Sequence, residues 1–115
     1  MFKNLDYIEL EMGGNKHRLV ATHTALFDLE DVMDCGLIDM MQKMIVSGLK
    51  PRQIVSIILI GLKGNNDTRL TFDDVAKAMF SDGAISYHKA VSGYCQLLLN
   101  GMSKDDDLQG KSEKG

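Results

Sequence analysis

Residues 49 to 66, LKPRQIVSIILIGLKGNN, carry the densest apolar stretch of the chain, with Ile54, Val55, Ile57, Ile58, Leu59, Ile60 and Leu62 broken by little but Ser56 and Gly61. Pro51 has a fixed φ and no N–H to lose, which suits a first helical turn. Gly64 offers a left-handed residue to end a helix. The β-branched residues would also suit a buried strand, and periodicity alone does not separate the two; the length of the run favours a helix from Pro51 to Lys63. Such a helix rises about 20 Å, short of the roughly 20 apolar residues that a bilayer requires. It is expected to be a core helix, apolar on all sides and so packed on all sides.

The pattern before this helix changes period. From Leu5 to Met12, Ile8, Leu10 and Met12 alternate with Tyr7, Glu9 and Glu11, the signature of a half-buried strand. Gly13-Gly14 fits a two-residue turn, and Lys16 to Ala21 returns as a second strand. The turn fixes the register: Met12 faces Asn15, Glu11 faces Lys16, Glu9 faces Arg18 and Ile8 faces Leu19. A lone hairpin is marginal in water, so this one must rest on helices. Thr22 or Thr24 caps a helix through Asp34 with Ala25, Leu26, Leu29, Val32 and Met33 at helical spacing, ended by Gly36. A methionine-rich helix, Leu37 to Ser47, follows and is closed by Gly48.

Beyond the central helix, Thr71 and Asp74 form a capping-box pair, and Leu70 is placed to staple onto Val75. Phe72, Val75, Ala76, Met79 and Phe80 form the expected buried side of that helix, and Ser81-Asp82-Gly83 turns the chain. The last helix runs from Ala84 to Asn100 with Tyr87, Val91, Tyr94, Cys95 and Leu98 inward, Gly93 at a close helix contact and Gly101 as cap. The residues after Met102, SKDDDLQGKSEKG, include one large apolar residue, Leu108, and cannot bury enough surface to fold. The whole reads as an α+β, mostly α-helical domain over 1–102. An N-terminal β-hairpin packs on about five helices around the central one, and a disordered charged tail follows at 103–115.

Composition narrows function mainly by exclusion. The net charge is -3 with 25% charged residues, so no basic excess draws the chain to nucleic acid or an anionic membrane. The N-terminus lacks the continuous apolar region of a secretion signal, which points to the cytoplasm. Cys35 and Cys95 stand alone in apolar-periodic segments and read as buried free thiols. His17, His23 and His88 lack the spacing of a zinc set, and the carboxylates Asp28, Glu30, Asp31 and Asp34 read as a solvated helix face. Asn65 to Ala76 fails as a calcium loop, with Leu70 where glycine is required and Ala76 where glutamate is required. No phosphate-binding loop is present. No catalytic residue, metal site or cofactor is expected.

The order of elements carries a resemblance. A hairpin, then Thr22, Ala25-Leu26 and Leu29-Glu30, then Gly48-Leu49-Lys50-Pro51-Arg52-Gln53-Ile54-Val55 and Gly61-Leu62-Lys63-Gly64 resembles the gene-transfer-agent family of small phage tail proteins. Phe72 to Met79, Gly83, Tyr87, Ala90-Val91 and the leucines at 97 to 99 continue it, so that it covers residues 5 to 102. The chain departs from the family pattern in an isoleucine-rich central helix and in the ionic tail. The resemblance implies a non-enzymatic tail assembly chaperone of the bacterial host cytoplasm, acting on the tape-measure protein and tail tube. A structural tail tube component is the alternative. A homo-oligomer fits either role. Met40, Met41 and Met44 are the expected partner-binding residues, because flexible thioethers suit an adaptable surface as well as an irregular core.

Overall fold

The computed structural model describes residues 6–114, and side chains over 6–101. Its elements are β1 (Tyr7–Met12), β2 (Asn15–Val20), α1 (His23–Met33), α2 (Leu37–Val46), α3 (Pro51–Gly64), α4 (Phe72–Asp82) and α5 (Ala84–Lys114). The α+β, mostly helical architecture with an N-terminal hairpin matches the expectation. Among the described residues, no helix is long and apolar enough to cross a membrane. Side chains from Met102 onward lie outside the described residues, while the backbone of 103–114, expected to form a disordered tail, continues α5.

The hairpin follows from its turn. Gly13 and Gly14 take φ of 60° and 85°, the paired positive values that a two-residue turn needs to match the strand twist. The register is the expected one: Met12 opposite Asn15, Glu11 opposite Lys16, Glu9 opposite Arg18 and Ile8 opposite Leu19. Leu10, Met12, Leu19 and Val20 are buried, while Tyr7, Glu9 and Glu11 face outward. Arg18 does more than face Glu9: its guanidinium lies 4.5 Å from the centroid of the Tyr7 ring, a cation–π contact along the strand diagonal.

Helix α3 is the hub. It packs against β2, α1, α4 and α5, and Ile54, Val55, Ile57, Ile58, Ile60 and Leu62 are buried. Its start is built as Pro51 implies, with the Gln53 side-chain oxygen accepting from the Lys50 N–H at 2.8 Å. Its end differs from the expectation. Gly64 is helical, and the left-handed residue is Asn66 at φ 57°. Gly64 instead meets β2: a Cβ there would overlap the Val20 carbonyl oxygen, and one on Gly61 would lie 2.6 Å from Leu19 Cβ. Both glycines serve close approach of helix to strand.

Thr22 caps α1, its hydroxyl oxygen accepting from the Ala25 N–H at 3.0 Å. Asp34 rather than Gly36 takes the left-handed position, at φ 54°. Gly36 becomes the N-cap of α2. Helix α2 packs mainly on α5 and α1, burying Leu37, Met40 and Met44. Helix α4 has the expected reciprocal cap: Asp74 N–H donates to Thr71 Oγ1 at 3.2 Å, and Thr71 N–H donates to Asp74 Oδ2 at 3.0 Å.

Several expected core positions lie outside. Val32, Phe72 and Phe80 are exposed, whereas Val75 and Met79 are buried. At about 100° per residue, Phe80 sits roughly 120° round the helix from the centre of the Val75–Met79 face. Helix α4 has neighbours on too narrow an arc to cover it. Helix α5 buries Tyr87, Val91, Tyr94, Cys95 and Leu98 as the spacing implies, and its backbone continues through Gly101 instead of ending there. A glycine lowers helix propensity by about 1 kcal/mol but does not stop a helix, and no proline follows it. Gly93 faces the hairpin rather than another helix, a Cβ there lying 3.4 Å from Ile8 Cδ1.

Gly61, Gly64 and Gly93 therefore separate by sign. Gly61→Ala and Gly64→Ala force backbone apart and should each destabilise by about 1–3 kcal/mol. Gly93→Ala meets the flexible end of one side chain and should stabilise by about 0.5–1 kcal/mol through helix propensity. Denaturant titration of the three variants checks the ordering.

Candidate functional site

The polar side chains that the fold gathers are grouped where the hairpin meets the helices. Asp82, the last residue of α4, accepts from the Gly13 N–H at 2.9 Å and from the Tyr87 hydroxyl at 2.6 Å on the same oxygen, Oδ2. One carboxylate thus ties the tip of the hairpin to the α4–α5 corner. The Tyr87 hydrogen bond and then the Gly13 amide hold the Asp82 carboxyl below its usual range, because both stabilise the charged form. Burial, reinforced by the same carboxylate, pushes the Tyr87 phenol up. Beside this tie lies a surface hollow of about 710 Å³ lined by Glu9, Glu11, Asp82, Ser86 and Lys89 among others.

A second tie fastens the other side of the hairpin. Asp67, in the loop after α3, receives Arg69 Nε on Oδ1 at 3.1 Å and Arg69 Nη2 on Oδ2 at 3.2 Å, and His17 Nδ1 of β2 lies 3.6 Å from Oδ2. Arg69 is the main reason that the Asp67 carboxyl is held below its usual range. A third tie is internal: the buried Tyr94 hydroxyl donates to the Val20 carbonyl at 2.7 Å. These groups are engaged with one another. Asp82 ties the hairpin turn by a hydrogen bond, while Asp67 is paired with Arg69 and lies beside His17.

Cys95 is buried, which pushes its thiol up to about 12 and away from the nucleophilic thiolate form. Cys35, ahead of α2, is half-buried. Among the described residues, no group of three or more His, Cys, Asp or Glu side chains is placed to hold a metal ion.

No family model, curated protein or solved structure matches this chain.

The expected partner-binding methionines divide. Met40 and Met44 are in the core, and Met41 is half-buried against it. They point inward because α2 turns that face onto α5 and α1. The exposed apolar residues of this helix are Ile38, Ile45 and Val46, the last two 83% and 84% exposed. A partner approaching α2 in this fold meets them before it meets Met40 or Met44. Further large apolar side chains, Phe80 at 71% and Ile85 at 77% exposure, flank the Asp82–Gly83 turn. Periodicity did not separate Phe80 from core residues, since it recurs at a spacing compatible with burial. The Asp82 and Asp67 ties were also missed, because each joins residues remote in sequence.

The shifted groups set the pH dependence of stability. A carboxyl whose folded pKa is lowered stabilises the fold above its ordinary range and loses that contribution as pH falls through the lowered value. Asp67, Asp74 and Asp82 all shift this way. A phenol or thiol whose folded pKa is raised contributes fully below its ordinary value and loses the contribution as pH climbs past it; Tyr87, Tyr94 and Cys95 behave so. Thermal melts should therefore show a plateau, with stability falling below about pH 4 and above about pH 9. Asp82→Asn should lower the plateau and flatten the acid slope.

Proposed function

We propose that the protein is a non-enzymatic assembly chaperone of phage or prophage tails, working in the cytoplasm of the bacterial host on the tape-measure protein and the growing tube. The resemblance of the hairpin-plus-helices order over residues 5 to 102 to the gene-transfer-agent family of small tail proteins names the client. The observation that carries the reading is the row of large apolar side chains left outside a well-filled core, with Phe80 and Ile85 either side of one turn. An unassembled tape-measure protein presents apolar helical surface that must stay covered until tube subunits enclose it. Exposed aromatic and branched side chains on a small acidic carrier suit reversible cover of that kind.

The polar groupings support the same reading. Asp82 and Tyr94 are hydrogen-bonded to the hairpin and Asp67 to Arg69, an arrangement in keeping with a surface that docks.

Pull-down from cells expressing the tail genes should retain the tape-measure protein. Phe80→Lys combined with Ile85→Lys should reduce the retained amount at least about tenfold, the loss expected when anchor side chains of a small interface are removed. Full retention by that variant would remove the assignment of this corner. Mass spectrometry of finished particles should lack the protein; tube-like copy number there would make it a structural tube component instead.

A further inference from the structure

Helix α2 presents an outer face whose two sides differ in kind. At about 100° per residue, Leu37, Met40 and Met44 point inward. The outer arc runs from Ile38 and Ile45 on one side, through Gln42 and Val46, to Asp39 and Lys43 on the other. All six outer residues are exposed, and among the described residues neither Asp39 nor Lys43 has an ion-pair partner. One side is an apolar pair, Ile38 and Ile45, each one residue from an end of the helix. The other is an acid and a base one turn apart.

We propose that this face is where a second copy of the chain docks, α2 against α2, antiparallel about a two-fold axis passing between Met41 and Gln42. Antiparallel helices related by such an axis bring each side of the face against the same side of the other copy. Position 38 then lies opposite position 45, so Ile38 of each copy meets Ile45 of the other. Asp39 falls within one residue, about 1.5 Å along the axis, of the other copy's Lys43. Both sides are thus satisfied by one operation: the apolar pair closes on itself and the two charges meet their opposites twice. A parallel arrangement turns each side of the face against the opposite side of the other copy, which sets Ile38 and Ile45 against Asp39 and Lys43 and leaves both the apolar pair and the charges unmatched. The arrangement of the two sides therefore selects both the occupant and its direction.

The face is small. A ten-residue helix offers less than the roughly 800 Å² per partner of a stable complex. Self-association is accordingly weak and concentration-dependent, on the order of micromolar. Exchange with a client is then open to it. The inference does not depend on the tail-assembly reading, since it uses α2 alone and a client bound at Phe80 and Ile85 leaves this face untouched.

Sedimentation velocity of the full chain, over roughly a hundredfold concentration range around micromolar, should show a mass rising from one copy of 12.7 kDa to two. Asp39→Lys or Lys43→Asp alone should weaken association about fivefold or more, because each change makes two like-charge contacts per dimer. Combining Asp39→Lys with Lys43→Asp should restore it. Ile45→Lys should abolish it. All four positions are exposed, and circular dichroism melts confirm that each variant stays folded. A single-copy mass across the whole range overturns the proposal, as does association that single reversals leave unchanged or that the double swap fails to rescue. A single-copy mass together with loss of tape-measure capture by Ile45→Lys also overturns it, and assigns the face to the client.

Discussion

The fold depends on how closely α3 can approach β2. A two-stranded hairpin has too little apolar surface to stand alone, and α3 has too much to be left uncovered. The two meet at Gly61 and Gly64, where missing side chains let the helix reach Leu19 and the Val20 carbonyl. That contact buries Leu19, Val20 and Ala21 in succession, which strict strand alternation would not do. The Val20 carbonyl, turned away from β1, is then within reach of the Tyr94 hydroxyl. A helix-to-strand distance set by two glycines thus decides where α5 must lie, because a buried carbonyl without a donor is costly.

Around this contact the remaining hydrogen bonds fix orientation more than they add stability. Surface pairs contribute little individually, but Asp82 holds the turn end of the hairpin while Asp67 holds its second strand. With Tyr94 beneath, hydrogen bonds hold the hairpin at its turn and at Val20, and His17 adds a contact 3.6 Å from Asp67. The sequence positions involved, 13 with 82, 17 with 67 and 20 with 94, show why none was visible beforehand. Each residue has an adequate local role of its own: Asp82 reads as a turn residue, Asp67 as a loop acid and Tyr94 as one more apolar position.

Features set by short-range rules were legible. The hairpin register follows from Gly13-Gly14, the start of α4 from Thr71 and Asp74, and the inward stripe of α5 from residues three and four apart. Gly64 was misread because a glycine after an apolar helix usually serves as a cap, and only the neighbour across the core shows that the space is needed instead. Val32 and Phe80 were misread because a helix repeats its apolar residues over a wider arc than its neighbours cover. A period gives the direction of a side chain and not the presence of something to meet it. The same limit applied to the methionines of α2, whose identity suits a surface and a core alike and whose direction put two of them inside.

That inward placement gives the methionines a different part in the molecule. Helix α2 is joined to the body through Leu37, Met40 and Met44 and lies mainly on α1 and α5. Two of its three anchors are unbranched thioethers, which repack at small cost when a helix shifts. Elements held by few apolar contacts are those that open first in a folded domain. Its outer arc, with Ile45 and Val46 in solvent, would be a poor place for a rigid permanent joint and a good one for a contact that forms and releases. Adaptability therefore resides in the layer beneath the exposed isoleucines, where it lets their position adjust while the core around Ile57 and Ile58 stays as it is.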